Sequence, residues 1–363
     1  ADLPDGSQRL AADDWMVMGV ADLDTGVRPE SFLQQLRPAA SQTLALVLVD
    51  RQQRHRWNAW VWHRGTLNEL TEIHVVGPRM LRLARNQPLW SERDPARWSR
   101  TRGALGDRVV DKIASAEITI VGAGRNGSAA AFQFAALGVR RLRIIDGDRL
   151  GTENLDAMVG VTCADVGGNK AQVLAKRLRA FRPDLALTAI DRSVIDHDAR
   201  GMLLERTGLL VTCVDHDAAR LAACLAARRT LTAHLDIGSS VQIVDGHPQI
   251  MGDARLMLPG HGCVVCVGGM PNVEHRLYDL SVPADSLHHR LQAPWRQRRA
   301  GSLVTINAMT VAAGVQMWLD LLQGDLVDSH WQRLTWQPGI GLQTDAGTVG
   351  AASDCRFCRR AGR

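Results

Sequence analysis

The chain has 363 residues, 45% of them hydrophobic, and a formal net charge of +5. That length and apolar content suit about two domains with a real core. Acids and bases are interspersed, so the charge describes a solvated mixed surface rather than a nucleic-acid face. No signal-like stretch stands near residue 1. The most apolar helix candidate, 303–322, carries Thr305, Asn307, Thr310, Gln316 and Asp320, which suits a core helix better than a membrane span. A cytoplasmic protein with no nucleic-acid or membrane partner is the expectation.

Residues 1–95 read as a β-rich accessory domain. An apolar run at 43–49, the alternation of Trp57, Ala59 and Val61 against Asn58, Trp60 and Trp62, and a segment at 72–76 suggest strands, with a helix at 30–36. Trp15, Trp57, Trp60, Trp62 and Trp90 fall here and suit a core, or else a face for a partner.

Residues 118–148 then organise the rest of the chain. A buried-strand pattern at 118–121 leads into Gly122, Gly124 and Gly127 at G-x-G-x-x-G spacing. An Ala-rich helix to Leu137 ends at Gly138, and a second strand at 142–145 delivers Asp146 and Asp148. Glycines at that spacing let the backbone turn and approach a ligand, and the helix N-terminus favours an anion, so this is the first half of a nucleotide-binding unit. Further helices at 169–181 and 218–228 alternate with strands at 185–190, 209–214 and 233–237. That alternation predicts an α/β fold, a doubly wound Rossmann-like, mostly parallel sheet. Strands at 241–244 and 255–258 follow, then a polar stretch at 270–301, a long helix from Ser302 and a tail from Trp331. The expected organisation is an accessory domain at 1–95, a nucleotide-binding domain at 96–330 and a tail at 331–363.

Seven cysteines are an odd count without secretory context, and four form C-x-x-C pairs, Cys263/Cys266 and Cys355/Cys358. Split pairs of this kind read as one tetrahedral Zn²⁺ site tying the tail to the body. Cys213 and Cys224 fall in apolar patterns and Cys163 in a loop; filler is the better reading of each.

Taken in order, these features resemble the ThiF/MoeB/HesA superfamily, which includes the ubiquitin-activating enzymes. Arg97-Trp98-Ser99-Arg100 is similar to its R-Y-x-R, 122–127 to its glycine loop, Asp146-Gly147-Asp148 to its D-x-D, and 166–171 to its I-G-x-x-K-A. Val214-Asp215 resembles its adenylation aspartate, and the cysteine pairs its zinc site. The resemblance covers roughly 96–363. It implies ATP-dependent adenylation of the C-terminal carboxylate of a ubiquitin-like protein, with a conjugating enzyme as a further partner. Asp215 would then hold Mg²⁺, Lys170 would reach the phosphates, and Asp146 or Asp148 would accept the ribose hydroxyls. Asn154 would join the nucleotide site, and Arg100 would enter the site of a second subunit, making a homodimer.

Three departures stand out. The family's N-L-N-R-Q appears as 154–158 with Ala157 in place of the arginine, and the glycine loop carries Arg125 and Asn126, so Arg125 is a candidate for the missing charge. No cysteine lies between 268 and 354, which leaves Ser302 as a candidate nucleophile or simply a helix N-cap. Residues 301–307 are similar to a stretch of the bacterial ubiquitin-like-pathway enzymes. The competing expectations are an adenylating enzyme for a sulfur carrier or peptide, and a nucleotide-binding adaptor that has lost catalysis.

Overall fold

In the computed structural model, which describes residues 15–21, 43–50, 57–75, 81–84, 96–205, 207–244, 247–281 and 303–360, the chain divides into two units, Ala1–Pro88 and Leu89–Arg363. The helix expected at 30–36 lies outside the described residues.

The first unit holds a four-stranded sheet in the order β1 (Trp15–Ala21), β2 (Leu44–Asp50), β3 (Trp57–His63), β4 (Thr66–Leu70). β1 and β2 are parallel and the other pairs antiparallel. In β3 Trp57, Ala59 and Val61 are buried while Asn58 and Trp60 are half-exposed, the two-residue period of a strand with one covered face. Arg64 and Gly65 both have positive φ, 49° and 83°, which matches the twist of the β3–β4 hairpin. A separate hairpin pairs β5 (Glu72–Val75) with β6 (Leu81–Ala84).

The second unit is built on an eight-stranded sheet in the order β14-β13-β12-β11-β10-β7-β8-β9. Its parallel strands are β7 (Glu117–Val121), β8 (Arg141–Ile145), β9 (Ala186–Ile190), β10 (Leu209–Thr212) and β11 (Ala233–Val244). β12 (His247–Met257), β13 (His330–Gln337) and β14 (Gly341–Thr348) extend it antiparallel. Apolar runs such as Ile118, Ile120 and Val121 in β7 are buried because helices cover the sheet. Those helices are α1 (Ser99–Leu105), α2 (Asp107–Ser115), α3 (Arg125–Leu137), α4 (Lys170–Phe181), α5 (His197–Arg200), α6 (Asp217–Thr230), α7 (Val273–Ser281) and α8 (Val304–Gln323). The Rossmann-like α/β expectation holds. The strand order reverses beside β7, with β8 and β9 on one side and β10 and β11 on the other, which opens a crevice at the carboxyl ends of β7 and β10.

Two regions differ from the sequence reading. The strands expected at 233–237 and 241–244 are one strand, β11, whose Gly238-Ser239-Ser240 interrupts the apolar pattern without interrupting the pairing to β12. The stretch from Trp331 is a β-hairpin whose second strand is almost wholly exposed, so its sequence is polar. α8 begins at Val304 with Leu303 at its N-cap; Ser302 lies outside the described residues. Among the described residues no helix is long and apolar enough to cross a membrane.

Candidate functional site

The glycine loop is shaped by backbone contact. Gly122 has φ +92°, and a Cβ there would stand 2.6 Å from the Cys213 carbonyl oxygen at the end of β10. A Cβ on Gly127 would stand 1.8 Å from the Gly122 carbonyl oxygen. A Cβ on Gly124 would meet nothing within 4 Å, so this glycine borders open space at the N-terminus of α3. Gly124 is also that helix's N-cap and makes no side-chain cap, which leaves the first-turn N–H groups for a ligand or water. Gly127→Ala should therefore cost about 1–3 kcal/mol of stability through overpacking. Gly124→Ala should change stability by less than about 0.5 kcal/mol. Thermal melting of the two variants checks the contrast, and equal losses would refute it.

β8 delivers two carboxylates with different surroundings. Asp146 is half-buried; its Oδ2 accepts from the Ala123 N–H at 2.6 Å and its Oδ1 from the Asp148 N–H at 2.8 Å. Burial pushes its carboxyl up to about 6, against the opposing field of Lys170 and those two N–H donors. Asp148 is exposed and pairs with Lys170 Nζ at 2.8 Å. Lys170, at the first position of α4, is mostly buried. Burial favours its neutral form, but the carboxylates of Asp146, Asp148 and Asp215 outweigh that and raise its pKa. Asp215 is thus in electrostatic reach of Lys170. It is exposed at the carboxyl end of β10, and its carboxylate accepts no hydrogen bond from the described residues.

Asn169 joins these parts. It is 4% exposed and caps α4 by accepting from the Gln172 N–H at 3.0 Å. Its amide donates to the Asp146 and Asp148 carbonyls at 2.8 and 3.2 Å and to Asp191 Oδ1 at 2.8 Å. The sequence reading included Asn169 only as part of a motif; an Asn one residue before a helix was the available signal. Asn154 closes its own turn, its Oδ1 accepting from the Gly151 N–H at 2.9 Å.

Ala157 is buried and offers no charge. Arg125, at the first position of α3, reaches the same segment: its Nη2 lies 3.2 Å from Asp156 Oδ1 and donates to the Glu153 carbonyl at 3.5 Å. Arg100 is exposed on α1, a helix with no buried residue. Trp98, just before it, is buried between Arg97 and Arg182 at 4.7 and 5.2 Å and donates from Nε1 to the Ala136 carbonyl at 3.2 Å. The segment carrying Arg100 is therefore pinned at the C-terminal end of α3, about 17 Å along that helix from the glycine loop at 1.5 Å per residue.

Far from the loop in sequence, the four cysteine sulfurs of Cys263, Cys266, Cys355 and Cys358 lie within 4.8 Å of one another. The separations are 3.9 Å for Cys263–Cys266, 3.8 Å for Cys263–Cys355 and 3.6 Å for Cys266–Cys358. Four thiolates about 2.3 Å from one tetrahedral ion lie about 3.8 Å apart, so the set fits zinc. Sequence reasoning missed two supports. Arg228 of α6 donates to the Leu258 and His261 carbonyls at 2.9 and 2.8 Å. Buried Cys224, on the same helix, packs in one buried cluster with Cys263. Cys213 is partly buried beneath the glycine loop, where desolvation pushes its thiol well up, and Cys163 is exposed.

Residues 98–323 match the family model described as the ThiF family. The chain belongs to the ThiF family. Among its relatives, the sulfur carrier protein ThiS adenylyltransferase of Escherichia coli K12 is 30% identical over 160 residues, 42% of this chain and 63% of that protein. The ATP-dependent ubiquitin transferase-like protein Cap2 of Enterobacter hormaechei is 37% identical over 106 residues, 28% of this chain and 17% of that protein. The chain thus spans less than two thirds of either relative. The crystal structure of E. coli MccB with AMPCPP and MccA superposes with a TM-score of 0.55 at 17% identity, covering 72% of this chain and 74% of that one. That likeness carries the fold.

Proposed function

We propose that this ThiF-family chain adenylates the C-terminal carboxylate of a ubiquitin-like protein with ATP. The observation that carries the reading is the convergence of Lys170, Asp148, Asp146 and Asp215 beside the glycine loop in the crevice where the strand order reverses. The open space at Gly124 and the hard oxygen donors fit a nucleotide with magnesium. In this reading a carrier carboxylate oxygen attacks the α-phosphorus of ATP, the bond to the β-phosphate breaks, and pyrophosphate leaves. Asp215 would hold Mg²⁺, which would supply positive charge to neutralise the phosphates. Lys170 exchanges Asp148 for a phosphate oxygen, and the glycine-loop N–H groups face the phosphates. Asp148 is the more accessible acceptor for the ribose hydroxyls, while Asp146 holds the loop. Asn154 shapes the adjoining turn, and Zn²⁺ in the cysteine cluster ties the tail to the body.

Arg125 stands in for the family arginine absent at Ala157, since Asp156 draws it over that segment. Arg100 serves the site of a second copy in a homodimer, which its separation from the loop along α3 favours. The Ser302 hydroxyl then attacks the carrier's acyl carbon, the bond to the phosphate breaks and AMP leaves; attack by a nucleophile of a conjugating enzyme on that ester releases Ser302 and completes the proposal. A second reading, a sulfur-carrier or peptide substrate, is favoured by the ThiS adenylyltransferase relative and the MccB–MccA fold neighbour. The adaptor reading draws only on Ala157.

ATP–pyrophosphate exchange with a panel of small β-grasp proteins and peptides separates these readings; exchange with none of them supports the adaptor. With an active carrier, Arg125→Ala should exchange at least about tenfold more slowly than an Arg192→Ala surface control. A wild-type rate would remove Arg125 from the site. An enzyme–carrier adduct that persists in Ser302→Ala would remove the serine.

A further inference from the structure

One arginine brackets the Asp215 loop. Arg220, in the first turn of α6, donates from Nη2 to the Val214 carbonyl at 3.1 Å and from Nη1 to Asp217 Oδ1 at 2.7 Å. These acceptors flank residue 215 on either side. The Nε of the same guanidinium donates to Asp236 Oδ1 at 2.8 Å. Asp236 is fully buried in β11 and is gripped from both neighbouring strands, by Thr212 Oγ1 of β10 at 2.8 Å and by Arg255 Nη1 of β12 at 2.7 Å. Arg255 continues to Asp253 at 2.7 Å, and Asp253 to Arg333 of β13 at 2.7 Å. An alternating line of charge therefore runs from the centre of the sheet to the loop. Gly238 leaves room for its end, since a Cβ there would stand 3.3 Å from Arg220 Nη2.

A helix start needs no such clamp. α6 already has a cap in His216, whose Nδ1 accepts from the Ala218 N–H at 3.1 Å. The clamp holds the Val214 carbonyl on one side of Asp215 and the Asp217 side chain on the other, while the Asp215 carboxylate itself stays exposed and accepts no hydrogen bond from the described residues. A scaffold fixed to the sheet that leaves one carboxylate free is what a cation ligand requires, because a ligand held in place loses little freedom on binding.

We propose that Arg220, seated on Asp236, is the positioning residue that aims the Asp215 carboxylate at the magnesium ion of the bound nucleotide. The inference rests on the nucleotide reading above. It goes beyond that reading by assigning the cation's contribution to a residue that touches neither nucleotide nor metal.

The test measures binding of α,β-methylene ATP to the full chain by calorimetry, in magnesium and in EDTA, beside the melting temperature. Magnesium should tighten wild-type binding by about tenfold or more, a coupling that Asp215→Ala abolishes. In Arg220→Gln and Arg220→Lys the enhancement should fall below about threefold while affinity in EDTA stays within about twofold of wild type. Neither substitute reaches all three acceptors. Arg228→Gln, which removes another buried guanidinium beside the cysteine cluster, should lower the melting temperature and keep the full enhancement. Full magnesium enhancement in Arg220→Gln overturns the proposal. If Arg220→Gln does not fold, Asp217→Ala, which removes one loop contact of the clamp together with the 3.9 Å pair to Arg276, decides by the same ratio. An analogue that fails to bind wild type overturns the nucleotide reading itself, a different result from binding that is insensitive to Arg220.

Discussion

Asp215→Ala is expected to slow carrier-dependent ATP–pyrophosphate exchange by roughly 10²–10³-fold, the usual cost of losing one preorganised charge contact. The carboxylate is exposed and accepts no hydrogen bond from the described residues, so its removal leaves no buried group unpaired. The melting temperature should therefore stay near that of wild type. Lys170→Ala should lose activity to a similar degree for a different reason. Its ammonium is held among three carboxylates, Asp146, Asp148 and Asp215, and an incoming phosphate has to compete for it. Removing it leaves those acids facing the phosphates without compensation. Asp148, already exposed, is then solvated by water, so losing this pair, which has one exposed and one mostly buried member, costs on the order of 1 kcal/mol of stability. Lys170→Arg should recover part of the rate, since it keeps the charge but spreads it over a planar fork. Wild-type exchange in Asp215→Ala would end the adenylation assignment for that residue.

One zinc ion per chain is the expected result of metal analysis on protein purified without chelator, and Cys355→Ser should abolish it. Structural zinc contributes on the order of 10 kcal/mol in apparent binding free energy. Among the described residues few other hydrogen bonds join the tail to the cysteine turn. The Gly262 N–H donates to the Val349 carbonyl at 3.2 Å, and the Ala352 N–H points at the Cys266 sulfur at 3.4 Å. Loss of the metal should therefore expose 349–360 to limited proteolysis and lower the melting temperature, whereas Cys163→Ser, at an exposed cysteine, should do neither. Four sulfurs would leave the ion no open ligand position, so adenylation should be affected only through stability. Zinc-free protein with an unchanged tail would sink the site.

The parts of this chain that could be read from its sequence are those whose physics is local. A glycine forced to positive φ at 122, an Ala-rich helix stopped by Gly138 at φ +108°, and the buried strands β7, β8 and β10 each carry their cause within a few residues. The long β11 did not, because its Gly238-Ser239-Ser240 look like a break. β12, which lies after it in the chain, supplies the pairing that carries the strand through. The β13–β14 hairpin looks like a tail in sequence because the exposed β14 has no apolar alternation to announce it.

The candidate site divides in the same way. Sequence alone determined the family resemblance, the residue types for a nucleotide and a metal, and the two C-x-x-C pairs. Spacing along the chain is enough for those, since each motif sits on one turn or one helix start. Only the tertiary structure decided which groups meet. It brought Lys170 into the field of Asp146, Asp148 and Asp215, drew Arg125 onto Asp156, and separated a loop-holding Asp146 from an exposed Asp148. It also set Arg220 on a buried Asp236 sixteen residues on. Those outcomes depend on which strands become neighbours, and hydrogen bonds and electrostatic fields act over a few ångströms of space rather than along the chain.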